Sequence, residues 1–263
     1  MIAHSFSLLI FTFLVRITWV VFTFKFLLFT YMEAIILAGG LGTRLQGVIG
    51  AQPKCMAPVN GEPFLHYLLE YLTKHNCTRV ILSLGYKHKV VINWLEEQFL
   101  FFELDYVVET EPLGTGGGIL AALEEAATDD VLVLNGDTMF DVDLTAMFAA
   151  HRANKAATTL ALKKMTNFDR YGVVHTNEKG VITAFDEKKA TAEGTINGGV
   201  YIINRDAFMA KDLSEKFSFE KDYLEKFVSD KAFYGFEDKG YFIDIGIPED
   251  YTKAQEDFKT MFP

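Results

Sequence analysis

The sequence is poor in most of the features that would place it quickly. Two cysteines, Cys55 and Cys77, match no metal spacing and offer no disulfide framework, so a reduced, cytoplasmic setting is the expectation. Positive charge is scarce. Lysine and arginine number 25 against 35 aspartates and glutamates, leaving a formal net charge of −10 and a pI near 5.1. Nucleic-acid phosphates would be repelled by such a chain, so no nucleic-acid partner is expected. Small anions must then be met by cations gathered locally rather than by a global field. The six histidines show no catalytic or metal spacing. There is no internal repeat, no low-complexity tract, no linker and no hexapeptide β-helix repeat after the core.

Long apolar runs, in contrast, crowd the N-terminus. Residues 5–31 are rich in Phe, Leu, Val, Ile and Thr, interrupted only by Arg16 and Lys25. Their length and hydropathy permit a membrane span. However, they contain no small-x-small cleavage site and no polar linker before Glu33. Arg16 would also lie near the bilayer centre, at a cost of about 2.5–3.5 kcal/mol. A span ending at Tyr31 would press the strand that follows into the headgroups. Met32 is therefore read as the natural start and residues 1–31 as translated upstream sequence, with an N-terminal anchor as the alternative. No membrane partner is expected.

The most informative stretch is Glu33-Ala-Ile-Ile-Leu-Ala-Gly-Gly-Leu-Gly-Thr-Arg-Leu45, followed by Pro53-Lys54. An apolar run, Ala34 to Ala38, breaks directly into glycines at 39, 40 and 42, with Thr43 and Arg44 next. Strand, glycine turn and cation in that order suit a polyphosphate. Glycine removes the Cβ atoms that would hold an anion off, freed N–H groups point inward, and arginine supplies a planar donor fork. The stretch is not a Walker loop, because no Lys-Ser or Lys-Thr follows the glycines. Nor is it a dinucleotide fingerprint, since Leu45 stands where the third glycine belongs.

Gly-Gly-x-Gly-Thr-Arg-Leu with a downstream Pro-Lys closely resembles the signature of the sugar-1-phosphate nucleotidylyltransferases. The resemblance covers nearly all of residues 32–263, and members of that family typically begin as this chain does at Met32. Within the family the chain looks most like the D-glycero-α-D-manno-heptose 1-phosphate guanylyltransferases. The Pro-Lys-x-Met-Ala-Pro-Val continuation and the ending Phe-Ile-Asp-Ile-Gly-Ile-Pro-Glu-Asp-Tyr251 fit that group, although Cys55 replaces a usual proline. The rivals are mannose-1-phosphate guanylyltransferases, N-acetylmuramate- and glucose-1-phosphate uridylyl- or thymidylyltransferases, and a catalytically dead sugar-nucleotide sensor.

Apolar strand patterns alternate with helical ones from Met32 onward. Strands are predicted at 34–38, 79–84, 104–108 and 131–134, and helices at 63–75, 87–98 and 116–127. This rhythm implies βαβ crossovers and a mostly parallel sheet covered on both faces. After about residue 155 the pattern becomes strand-dense, at 157–163, 172–175, 181–187 and 199–204. Asn177-Glu-Lys-Gly180 reads as a hairpin turn, and a helix is predicted at 219–228. The expectation is one α/β domain, residues 32–263. The resemblance makes it a three-layer, Rossmann-like nucleotidyltransferase fold with a mixed central sheet and a small antiparallel sugar-side lobe. Its nucleotide-binding half is about 32–155 and its sugar-binding half about 156–263.

The implied reaction is attack by a sugar-1-phosphate oxygen on the α-phosphorus of a nucleoside triphosphate, expelling pyrophosphate. It needs charge neutralisation and in-line positioning more than proton transfer. Arg44 and Lys54 are the catalytic cations, on the leaving phosphates and between the two anions. The resemblance assigns nucleotide binding to Leu37, Ala38, Gly39, Gly40, Gly42, Thr43 and Arg44, to Gly85, and to Glu109, Glu111, Gly114, Thr115 and Gly116. A carboxylate at 109 or 111 can accept the paired N1–H and N2–H₂ of guanine, so GTP is favoured. Asp137, past the end of a buried strand, and Asp244 are the metal aspartates that the resemblance implies, with Mg²⁺ as the cofactor. Tyr171, Gly172, Glu187, Lys188, Asn197 and Gly198, together with Asp137, are expected on the sugar phosphate. The chain has Lys189 where the family often has proline, which loosens the turn carrying Lys188. A homodimer is a further expectation from the family.

Overall fold

The computed structural model describes residues 31–40, 42 and 44–262. The chain divides at the Tyr31–Met32 junction, and Met32–Pro263 is one unit. The apolar extension expected over residues 1–31 lies outside the described residues apart from Tyr31, as do Leu41 and Thr43 of the glycine loop.

Seven strands make the central sheet. Their spatial order is β12 (Phe233–Glu237), β8 (Thr158–Phe168), β11 (Thr191–Asn204), β6 (Asp130–Asn135), β1 (Glu33–Ala38), β4 (Arg79–Leu84) and β5 (Glu103–Val108). Parallel pairing joins β6 to β1, β1 to β4 and β4 to β5. β11 is antiparallel to both β6 and β8, and β12 is parallel to β8. Two-stranded antiparallel pairs complete the sheet inventory among the described residues. They are β2 (Pro58–Val59) with β3 (Glu62–Pro63), β7 (Thr138–Phe140) with β13 (Phe242–Asp244), and β9 (Val174–Thr176) with β10 (Ile182–Phe185).

Side-chain alternation along the central strands divides the core into two faces. Ala34, Ile36 and Ala38 of β1, Val80, Leu82 and Leu84 of β4, and Leu132 and Leu134 of β6 share one cluster. That cluster is covered by α2 (Phe64–Lys74), α3 (His88–Leu95), α5 (Leu144–Asn154) and α7 (Pro248–Met261), which lie beyond the short turn α1 (Gln46–Ile49). Ile35, Ile81, Val131 and Val133 face the other way, against α4 (Gly114–Glu125), α6 (Arg205–Met209) and a π-helical segment at Phe219–Glu225. Strands buried on both faces read as continuous apolar runs, which is why the sequence marks them so clearly. The layering is helix, sheet, helix.

The helices start where their sequences dictate. Pro63 precedes α2 with φ −60°, and seven of the helix's eleven residues, from Phe64 to Leu72, are buried. Asp143 caps α5 by accepting from the Ala146 N–H. Pro248 sits in the first turn of α7, followed by Glu249 and Asp250 at its positive end.

Several boundaries differ from the sequence expectation. The strand expected at 199–204 runs from Thr191 to Asn204, and its register against β8 shifts between Asn197 and Tyr201. Gly198 and Gly199 therefore mark a bulge inside a long strand, with Gly199 at φ +73°, and not the start of a short one. The helix predicted at 219–228 is a π-helical segment over Phe219–Glu225 followed by a 3₁₀ turn at Val228–Asp230. The Asn177–Gly180 turn joins β9 to β10 as expected, with the Gly180 N–H donating to Asn177 O.

Candidate active site

The parallel strands stand side by side in the order β5, β4, β1, β6, which is third, second, first and fourth along the chain, so the chain reverses its direction of travel across the sheet at the boundary between β1 and β6. Open α/β sheets place ligands at the carboxyl ends of strands flanking such a switch point. Two cavities open there and share Leu37, Gly40 and Asp137. The smaller, about 200 Å³, is lined by Gly42, Arg44, Lys54, Gly136 and Gly246 among others. The larger, about 640 Å³, runs across the ends of β1, β4 and β5 and is bordered by Gly39, Gly85, Glu109, Glu111, Gly114 and Thr115.

Lys54 is the centre of the smaller cavity. Pro53 fixes the backbone at φ −57°, and Lys54 opens a 3₁₀ turn over Lys54–Met56. Its stem lies against Gly42, where a Cβ would come within 3.0 Å of the Lys54 Cβ; Gly42 also has φ +57°, a conformation glycine adopts without strain. The side chain is 12% exposed, and its Nζ donates to Asp137 Oδ2 at 2.5 Å and reaches Asp244 Oδ1 at 3.5 Å. The two carboxylates, far apart in sequence, meet because β7 pairs with β13 and sets Thr138 opposite Asp244. The Ile245 N–H donates to Asp137 O and tightens this junction. Thr138 Oγ1 holds Asp137 Oδ1 at 3.1 Å, and the Gly246 N–H holds Asp244 Oδ1 at 2.8 Å. Arg44 is exposed on the rim of the same cavity.

Two aspartate oxygens converging on one cationic point form a hard, all-oxygen donor pair that fits Mg²⁺. Among the described residues no group of three or more His, Cys, Asp or Glu side chains gathers at one point. Asp137 and Asp244 are the residues that would hold such an ion, and it would supply positive charge to phosphate oxygens.

Glu109 is half-buried at the larger cavity. Its Oε1 accepts from Ser83 Oγ at 3.3 Å and its Oε2 from the Leu113 N–H at 2.9 Å. Gly39 and Gly118 flank it; a Cβ on either would lie 2.8 or 3.1 Å from Oε1. Glu111 is exposed at the edge. The structure thus separates the two glutamates into a fixed one and a solvated one. Gly85 permits the crossing of the β1 and β4 loops, since a Cβ there would stand 2.9 Å from Gly39 O.

Gly116 departs from its expected nucleotide contact. Its N–H donates to Phe217 O, and a Cβ would penetrate the Phe217 ring at 2.2 Å, so this glycine serves packing against the segment before the π-helix. Thr115 borders the cavity, but its hydroxyl is committed to Glu220 and to the Phe219 N–H.

Of the residues expected on the sugar phosphate, Asp137 lines both cavities, and the other six line neither. Asn197 sits at the β11 bulge, accepting from the Gly199 N–H and donating to the Tyr201 hydroxyl at 3.0 Å. Gly198 packs under Phe140, and Gly172 lies against Asp186 O. Tyr171 is half-buried beside Phe242 and Phe168. Burial and then the Asp244 carboxylate push its hydroxyl well above the usual tyrosine range. Glu187 and Lys188 are exposed after β10, while Lys189, in the usual proline position, pairs with Asp186 at 3.3 Å.

Four contributors are not evident from local motifs. Ser83 is the lone polar residue in the apolar run Val80–Leu84, which is a readable signal. Gly136 allows β6 to abut Leu37 O, where a Cβ would come within 2.6 Å. Arg170 pairs with Asp250 beside Tyr171. Glu220 reaches the larger cavity's border only through the fold.

The comparisons agree with this geometry. The model of the family described as nucleotidyl transferase matches residues 33–260. The chain is 52% identical over 228 residues to a D-glycero-alpha-D-manno-heptose 1-phosphate guanylyltransferase of Aneurinibacillus thermoaerophilus, covering 87% of this chain and 99% of that protein. A protein of the same description from Campylobacter jejuni is 46% identical over 220 residues, covering 84% and 97%. The crystal structure of HddC from Yersinia pseudotuberculosis complexed with GMP-PN superposes with a TM-score of 0.77 at 37% identity, covering 86% of this chain and 99% of that one. A switch-point cavity with a lysine between two aspartates, the match across residues 33–260 and this degree of identity lead to one conclusion: the chain belongs to the nucleotidyl transferase family.

Proposed function

We propose that this chain transfers GMP from GTP to D-glycero-α-D-manno-heptose 1-phosphate, giving the GDP-sugar and pyrophosphate. The observation that carries the chemistry is the position of Asp137 at the junction of the two cavities, with Lys54 of the smaller cavity bonded to it. A nucleoside in the larger cavity directs its phosphates toward Arg44 and Lys54. A sugar-phosphate oxygen forms the new bond to the α-phosphorus, the bond to the β-phosphate bridging oxygen breaks, and pyrophosphate leaves with that electron pair. The nucleophile is already an anion, so no general base is required. Lys54 holds the two anions together, and Arg44 takes the charge that builds on the leaving group. Mg²⁺ between Asp137 and Asp244 would supply further neutralisation of phosphate charge.

Glu109 supports guanine. Two of its four lone-pair sites are fixed by Ser83 and Leu113, which leaves acceptor capacity for the adjacent N1–H and N2–H₂ donors. The heptose assignment rests on the two relatives bearing that description. No helix among the described residues is long and apolar enough to cross a membrane; the cytoplasmic setting in this reading rests on the two unpaired cysteines. A homodimer also belongs to this reading.

The test is pyrophosphate release by the full chain with each NTP and a panel of sugar 1-phosphates. GTP with the heptose 1-phosphate should give the highest kcat/KM. Absence of release with every pair would defeat the transferase reading, and a preference for UTP would defeat the guanine assignment.

A further inference from the structure

We infer that Glu220 is a positioning residue that locks the loop carrying the base-reading carboxylate. This rests on the reading of the larger cavity as the nucleoside site. Glu220 lies in the π-helical segment, at the far end of the chain from the loop it holds. Its Oε2 accepts from Thr115 Oγ1 at 3.0 Å and from Ser218 Oγ at 3.2 Å. The Phe219 N–H then donates to the same Thr115 hydroxyl at 2.9 Å, so that hydroxyl both donates and accepts across the contact.

The backbone repeats the attachment. The Phe217 N–H donates to Leu113 O at 3.0 Å, and the Gly116 N–H donates to Phe217 O at 3.1 Å. Gly114, Gly116 and Gly117 allow this approach, because Cβ atoms there would lie 2.5, 2.2 and 2.3 Å from atoms of Phe217 and Glu215. Leu113 is the residue whose N–H orients Glu109 Oε2. Loosening the segment at Glu220 therefore loosens the peptide that aims Glu109, without Glu220 touching the base.

The Tyr201 hydroxyl is buried, and burial first and the negative charge of Glu220 second push it well above the usual tyrosine range. That hydroxyl receives Asn197 Nδ2 at the bulge and bonds Asn135, which borders the larger cavity. The Tyr201 hydroxyl thus joins Asn197 at the bulge to Asn135 at the cavity border.

The decisive comparison is Glu220→Ala against Glu220→Gln in the full chain, with Thr115→Val as an independent cut of the same link. Gln keeps an oxygen that accepts from Thr115, so it should stay within about threefold of wild type. Glu220→Ala and Thr115→Val should raise the KM for GTP about tenfold, with a smaller change in kcat, and should lower the GTP-over-UTP ratio of kcat/KM. A structural role alone would lower Tm without moving that ratio. If Glu220→Ala does not fold, Thr115→Val decides. Folded variants with wild-type KM and selectivity would overturn the inference. Wild-type protein that binds no NTP would instead overturn the nucleoside site itself.

Discussion

Replacing Lys54 with methionine isolates its charge, because methionine keeps an aliphatic stem against Gly42 while removing the ammonium. In the structure that ammonium is the counter-charge shared by Asp137 and Asp244. Thr138 and the Gly246 N–H continue to hold the two carboxylates, so both remain aimed at one point with no cation between them. Removing one partner of a fully buried pair costs about 3–5 kcal/mol. Here Asp137 and Asp244 are 34% and 22% exposed, and solvent screening reduces the expectation to about 1–2 kcal/mol. For a domain of this size that is a Tm lower by roughly 3–6 °C, measured in a chelator. Adding Mg²⁺ or Mn²⁺ should then stabilise the variant more than wild type, since the ion replaces the missing charge. At about ten times its dissociation constant an ion returns about 1.4 kcal/mol. Turnover should fall about 10²–10³-fold with or without the rescue of stability, because loss of one donor to the transition-state charge costs about 3–4 kcal/mol. Thermal melts with and without divalent ion, paired with pyrophosphate release, read both effects. A variant melting at the wild-type temperature in chelator, or turning over within threefold of wild type, would refute the reasoning.

Glu109→Gln should lower kcat/KM for GTP about 10–100-fold and leave UTP less affected, because a carboxylate acceptor facing the guanine donors becomes an amide; unchanged discrimination would remove Glu109 from base recognition. Asp130 is held well below the ordinary carboxylate range by His151 first and by Asn204 and Arg152 further on. A depressed folded pKa gives stability that is present above the unfolded value near pH 4 and is lost as the pH falls below it. Asp130→Asn should therefore cost about 2 kcal/mol at pH 7, with the gap to wild type closing below about pH 4 in acid melts. A gap that stays constant with pH would contradict this. Burial pushes both Cys55 and Cys77 up to about 12, so neither should react with a thiol reagent in the native protein at pH 8, and both should react on denaturation.

The inner strands β1, β4 and β6 were legible because they are buried on both faces. The Arg79–Leu84 strand has the predicted limits, and the switch point follows from the order of apolar runs. The aspartate pair was legible as two separate motifs, but not as a pair. Their meeting depends on the β7–β13 ladder, a long-range contact that no local pattern encodes. Glycines were read less well than strands. Gly199 looked like a strand start, yet with Gly198 it forms a bulge, since sequence alone does not separate a break in pairing from one extra residue within it. Gly116 looked like a phosphate contact, yet it makes room for Phe217. The partner that explains such a glycine lies far along the chain. Lys188 matched a motif, and the structure leaves it exposed, while neighbouring Lys189 forms the ion pair.

The central claim is that a sugar-phosphate oxygen attacks the α-phosphorus beside Lys54, Asp137 and Asp244. The most direct measurement follows the oxygen. GTP and D-glycero-α-D-manno-heptose 1-phosphate labelled with ¹⁸O in its phosphoryl oxygens are incubated with the protein, and the products are analysed by mass spectrometry. The account predicts that all of the label is retained in the GDP-sugar, including its bridging oxygen, and that the pyrophosphate carries none. Label in the pyrophosphate, or no labelled GDP-sugar at all, would contradict it.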